Sequence, residues 1–149
     1  MKLAILAEGK HTVCAYLETS EDEEGRTIIK ECPFFADVTS LSKANKKYRS
    51  DCEKLMEVID NYAAAGTSRL PPEQFKSVTS PTNDIFELKR GRVRAYCFKY
   101  DDDNIIILTC CVLKRDQPDK SKIRKARSLH DQYDADKLNG LIELTKLDD

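Results

Sequence analysis

"IFELKRGRVRAYCFKYDDDNIIILTCCVLKR", residues 85–115, decides how this chain is read. It divides into two extended runs, 85–100 and 104–115, separated by Asp101-Asp102-Asp103-Asn104, which is good hairpin-loop chemistry. The β-branched residues Ile105 to Ile107 suit a central strand. Side chains alternate along a strand, so residues 90–97 present Arg90, Arg92, Arg94 and Tyr96 on one face. Gly91, Val93, Ala95 and Cys97 then form the other, small and apolar face. A bulge at Gly91 would shift the parity before it and keep the trio Arg92, Arg94 and Tyr96 together. The antiparallel return brings Lys114 and Arg115 back beside Lys89 to Arg92, so two basic groups converge.

The charge distribution sharpens the point. Residues 1–37 carry −4, residues 38–88 are neutral, residues 128–149 carry −4, and residues 89–127 hold twelve Lys and Arg against five Asp and Glu, or +7. The formal net charge of the whole chain is only −1. Hydrated cations repel one another, so arraying them on one sheet face is costly unless a polyanion occupies it. RNA or DNA phosphate meets that demand, and Tyr96 offers a flat surface for base stacking. The plainer alternative is that Lys and Arg on an exposed strand deter edge pairing.

Outward from this hairpin, residues 2–7 and 12–18 read as short strands joined by a Glu8-Gly9-Lys10 turn. A polar loop, SEDEEGR, and a third extended piece, TIIKECPFF, follow. Thr39 or Ser40 offers an N-cap for the segment up to Gly66, where Leu41, Ala44, Tyr48, Cys52, Leu55, Ile59 and Tyr62 recur at three- and four-residue steps. This predicts one long amphipathic helix, or two with a break near Arg49-Ser50, and Gly66 as C-cap. The connector TSRLPPEQFKSVTSPTN predicts a short helical turn at Pro72 to Val78. From Ser121 a helical pattern resumes through Ile123, Ala126 or Arg127, and His130, and a further amphipathic piece is expected at Leu138, Leu141, Ile142 and Leu144.

The length of 149 residues suits one domain, 1–149, and the composition of 40% hydrophobic and 34% charged residues is that of a globular protein. The opening MKLAILAEGKH falls short of a signal peptide or a membrane span, so a cytoplasmic location without membrane association is expected. Six cysteines without CxxC spacing predict buried, reduced thiols rather than disulfides. The only two histidines, His11 and His130, lie in separate elements without ligand spacing to Cys, Asp or Glu, so no metal is expected. No GxGxxG, Walker, GxSxG or HExxH motif occurs, and no cofactor is expected. The run Asp101 to Asp103 lacks EF-hand spacing and reads as a solvated turn.

The order of these elements resembles the RelE/ParE toxin superfamily, most closely its HigB-like, phage Gp49-like branch. Ile85-Phe86-Glu87-Leu88 match the strand opening of that branch, and Gly91-Arg92-Val93-Arg94 its Arg-rich centre. Lys114-Arg115 stand where its Lys-Lys pair does, and Ile123, Ala126 and Arg127 match its following helix. The match covers roughly residues 70 to 133, with a family-like core expected over 38–133.

The resemblance implies an α+β, RelE-like fold: N-terminal helices packed on a twisted, mainly antiparallel sheet, and a C-terminal helix. It implies a toxin of a type II toxin–antitoxin pair, paired with a cognate antitoxin, that cleaves mRNA in the ribosomal A site without a metal. Such cleavage needs a base for the 2′-hydroxyl proton, a cationic cradle for the phosphorane and a donor for the leaving 5′-oxygen. By position, Arg92 and Arg94 are assigned to phosphate stabilisation, and Lys114 with Arg115 to backbone positioning. Tyr96, His130 and Tyr133 are candidates for stacking or proton transfer. Lys89 or Lys114, inside a cationic cluster that favours the neutral amine, are candidates for the base. Lys89, Arg90, Arg115, Arg124 and Arg127 complete the expected RNA contacts. Two other uses of the fold stay open, a ParE-like inhibitor of DNA gyrase and a phage-derived adaptor, both non-catalytic.

Overall fold

The computed structural model describes residues 1–79, 84–100 and 104–147. Among these, the chain runs β1 (Lys2–Glu8), β2 (Thr12–Tyr16), β3 (Glu18–Glu21), β4 (Thr27–Glu31), α1 (Pro33–Ala44) and α2 (Lys46–Ala65). It continues through β5 (Phe75–Ser77), β6 (Phe86–Arg90), β7 (Val93–Tyr100), β8 (Ile105–Leu113), α3 (Lys120–Leu138) and β9 (Glu143–Lys146). Seven strands form one sheet in the order β5-β6-β7-β8-β2-β1-β9, and β3 with β4 forms a separate ribbon. The class is α+β. Pairing in the main sheet is antiparallel except where β2 meets β8 and β1 meets β9, which are parallel.

Helices cover both faces. On one face Phe34 of α1 and Leu55 and Ile59 of α2 pack with Val13, Val93, Ala95 and Leu108. On the other, Ile123, Ala126, Leu129 and Tyr133 of α3 pack with Cys14, Phe98, Ile107 and Cys110. Burial on both sides is why Ile105 to Cys111 are buried without alternation, Thr109 being the one polar side chain among them. All six cysteines are free, and five of them are buried. No helix among the described residues is long and apolar enough to cross a membrane.

The decisive segment departs from its reading as a single strand over 85–100. Arg90 pairs with Val93, leaving Gly91-Arg92 as a two-residue turn between β6 and β7. Gly91 holds a φ of 56°, as a hairpin with glycine at its first central position requires. Pairing thus begins twice in sixteen residues, so Arg92 sits on a turn instead of alternating with Arg94 along a strand. A Cβ at Gly91 would also clash with the Asp51 carboxylate. Gly91→Ala is therefore expected to cost about 1–3 kcal/mol of stability, read as a shift in the urea midpoint without a change in slope.

Other boundaries move for local reasons. The extended piece read through Phe35 stops at Glu31, because Pro33 sits in the first turn of α1, where its missing N–H is not needed. Thr39 and Ser40, read as N-caps, lie inside α1. The helix pair breaks at Asn45 rather than near Arg49, and the Asn45 side chain caps α2 by accepting the Lys47 N–H at 2.7 Å. Gly66 ends α2 as expected, its N–H donating to the Tyr62 carbonyl. The helical turn expected over 72–78 is confined to 72–74 and leads into β5. The piece around Leu144 is a strand, not a helix: α3 stops at Asn139, and the open edge of β1 supplies backbone partners to β9. The hairpin-loop and solvated-turn readings of Asp101 to Asp103 fall outside the described residues.

Candidate nucleic-acid interface

The antiparallel register gathers cations at one end of the α3-facing side. Lys76 stands opposite Glu87, and Glu87 opposite Tyr96. Lys89 stands opposite Arg94, and Arg94 opposite Val112. Directly opposed residues share a face, so Lys76, Glu87, Lys89, Arg94 and Tyr96 all point the same way. The link from β8 to α3 supplies Lys114 and Arg115 as a wall. Together they line a cleft of about 420 Å³.

A bulge in β8 resets the faces at this end of the sheet. Tyr96 pairs with Cys110 while Cys97 pairs with Leu108, which leaves Thr109 as the extra residue. The Thr109 hydroxyl donates to the Tyr96 carbonyl at 3.1 Å. Beyond it the parity reverses: Cys111 turns toward α1 and α2, and Cys110 and Val112 turn toward α3.

The cleft groups differ in what they can do. Lys89 is held below the ordinary lysine range, first by burial and then by the charges of Lys76 and Arg94, against the opposing pull of Glu87. Arg94 is buried, and its Nη1 donates to the Gly91 carbonyl at 2.8 Å and the Val93 carbonyl at 2.9 Å. It therefore braces the hairpin turn while adding charge to the cleft. Tyr96 is 3% exposed, which rules out its ring as the stacking platform read from the sequence. Its hydroxyl accepts the Asp119 N–H at 3.0 Å, and burial keeps it protonated by raising its pKa. Asp119 in turn caps α3, accepting from the Ser121 and Lys122 N–H groups, and its carboxyl is pushed down mainly by the Ser121 hydroxyl.

The remaining sequence candidates are dispersed. Arg90 is exposed at the end of β6, and Arg92 lies on the turn. Arg124 and Arg127 line a neighbouring recess on α3, with Arg127 Nε 3.2 Å from Asp84 Oδ2. His130 and Tyr133 do not line the cleft. Tyr133 is a core residue at 1% exposure, its ring set against Phe98 and Tyr100. His130 packs on Phe98 and faces Asp134, Nδ1 to Oδ2 3.3 Å. The helix also groups His130, Asp131 and Asp134 so that one ligand atom from each lies within 4.8 Å of the others, a proximity not read from the sequence. Lys76 and Glu87 were missed as cleft residues. The polar position in the apolar-polar pair Phe75-Lys76 was the signal for the first, but β5 is too short for its alternation to stand out.

No protein-family model matches the chain, and no curated protein matches it.

Proposed function

We propose that this protein is a RelE/ParE-type toxin that cleaves mRNA on the ribosome without a metal, with the basic cleft as its reactive site. The order of elements supports the family reading: helices α1 and α2 on one sheet face, then the antiparallel strands β6, β7 and β8, then α3 on the opposite face. The observation that carries the activity is the meeting of Lys76, Lys89, Arg94, Lys114 and Arg115 in one cleft, where they outnumber the carboxylates of Glu87, Asp116 and Asp119 and where burial and neighbouring cations disfavour the Lys89 ammonium.

In this reading neutral Lys89 takes the proton of the 2′-hydroxyl as that oxygen attacks phosphorus. The charges of Arg94, Lys114 and Arg115 stabilise the phosphorane. The bond from phosphorus to the 5′-oxygen breaks, and Tyr96 supplies the proton to that oxygen. The products are a 2′,3′-cyclic phosphate and a 5′-hydroxyl. A cognate antitoxin would act by covering the cleft with an acidic segment.

One observation favours a second, non-catalytic reading as a gyrase inhibitor or phage-derived adaptor. Arg94 and Tyr96 already hold structural partners in the turn and at the α3 cap. Induced expression in a bacterial host, with growth and mRNA 5′-end mapping read together, separates the two. Growth arrest with cuts in translated codons, both lost in Lys114→Ala/Arg115→Ala, is the expected outcome. A folded parent chain that produces no cuts would remove the nuclease reading.

A further inference from the structure

We infer that the recess formed by Tyr48, Arg92 and Lys114 is a base-binding subsite, taking an unpaired nucleobase next to a phosphate held in the basic cleft. The inference rests on the RNA reading of that cleft.

Three elements build the recess, and each is pinned. Tyr48 lies one turn before Asp51 on α2, so the two share a helix face. The Asp51 carboxylate accepts the Arg92 N–H at 2.9 Å, which ties the β6–β7 turn to that face. The absent side chain of Gly91 permits this close approach. From the other side, the Lys114 N–H donates to the Arg92 carbonyl at 2.7 Å. The turn is therefore fastened to both α2 and the end of β8, with Tyr48 at its edge.

The recess is half-open, about 400 Å³, and lined by Tyr48, Gly91, Arg92, Leu113 and Lys114. That volume lies within the ~300–1,000 Å³ of ordinary ligand pockets. Leu113 and Lys114 line both this recess and the cleft, so the two adjoin at the end of β8 with Lys114 as a shared wall. A phosphate at Lys114 would leave its adjoining base over the recess. Tyr48 is partly exposed, unlike the buried Tyr96. Neither Arg92 nor Lys114 makes an ion pair among the described residues. A partly exposed tyrosine beside two cations that make no ion pair suits a base with its phosphate, and a base stacked within a duplex could not reach it. The occupant is thus a single strand.

The test is a fluorescence titration of the full chain with short single-stranded RNA carrying one 2-aminopurine. Stacking on Tyr48 quenches the probe. Tyr48→Ala is expected to lose the quench and bind roughly ten-fold more weakly, and Tyr48→Phe to retain both. Tyr48→Leu fills the volume without a π face and should bind without quenching, which separates stacking from packing. If Tyr48→Leu and Tyr48→Ala bind and quench like the parent while Lys114→Ala weakens binding, the subsite is overturned and the RNA reading stands. If the folded parent binds no RNA, both are overturned.

Discussion

In the proposed mRNA endonuclease, Lys89→Met is expected to reduce RNA cleavage by roughly 100-fold or more, the range in which loss of a positioned general base falls. The check is single-turnover cleavage on programmed ribosomes over a series of pH values. For the parent, the rate should rise with pH as the Lys89 ammonium loses its proton and level off once the amine is neutral. Burial and the neighbouring Lys76 and Arg94 charges lower the pKa, so the plateau should begin below the ordinary lysine value of 10.5. Lys89→Arg retains the charge but supplies no base, and should be as inactive as Lys89→Met. An active Lys89→Arg protein would assign Lys89 to charge stabilisation alone. The same shift has a consequence for stability. The unfolded chain binds the proton more tightly than the folded one, so Lys89 opposes folding at neutral pH. That cost disappears as pH climbs from the folded pKa toward 10.5. Loss of activity in Lys89→Met should therefore come without loss of stability.

The second large effect is structural. Phe98→Ala should cost about 3–5 kcal/mol, as deletion of a buried aromatic ring does. Phe98 is fully buried between the sheet and α3, its ring centroid 4.8 Å from that of His130 and 5.9 Å from that of Tyr133. Urea denaturation measures the loss, and a cost below about 1 kcal/mol would show that α3 is not docked on β7 there. The rings of His130 and Tyr133 belong to the packing that holds α3, and hence the Asp119 cap, beside the cleft.

Much of the architecture was readable from local pattern. The strands begun at Lys2 and Thr12, the apolar run beginning at Ile105 and the Gly66 cap each depend on residues within a few positions of one another, although the second strand stops at Tyr16 and Glu18–Glu21 forms β3, running into the stretch read as a polar loop. The meeting of Lys89 with Lys114 and Arg115 was also readable, because a hairpin returns the end of one strand to the start of its partner. The turn at Gly91-Arg92 was not, since a run such as KRGRVR supports both a continuous strand with a bulge and a tight hairpin. Neither was β9, a strand of four residues whose partner lies at the other end of the chain.

The sequence by itself determined that cations concentrate between residues 89 and 127, that residues 1–37 and 128–149 are acidic, and that Ile105 to Cys111 belong in a core. Composition and short-range periodicity carry that information directly. Only the tertiary structure decided which of those cations share a cleft. The bulge at Thr109 and the turn at Gly91 set the face on which each side chain emerges, burying the Tyr96 ring and placing Tyr48 beside Arg92 and Lys114. Side chains alternate with a period of two, so one added residue reverses every face beyond it. The position of that residue is set by long-range pairing and by packing against α2 and α3, which local pattern does not contain.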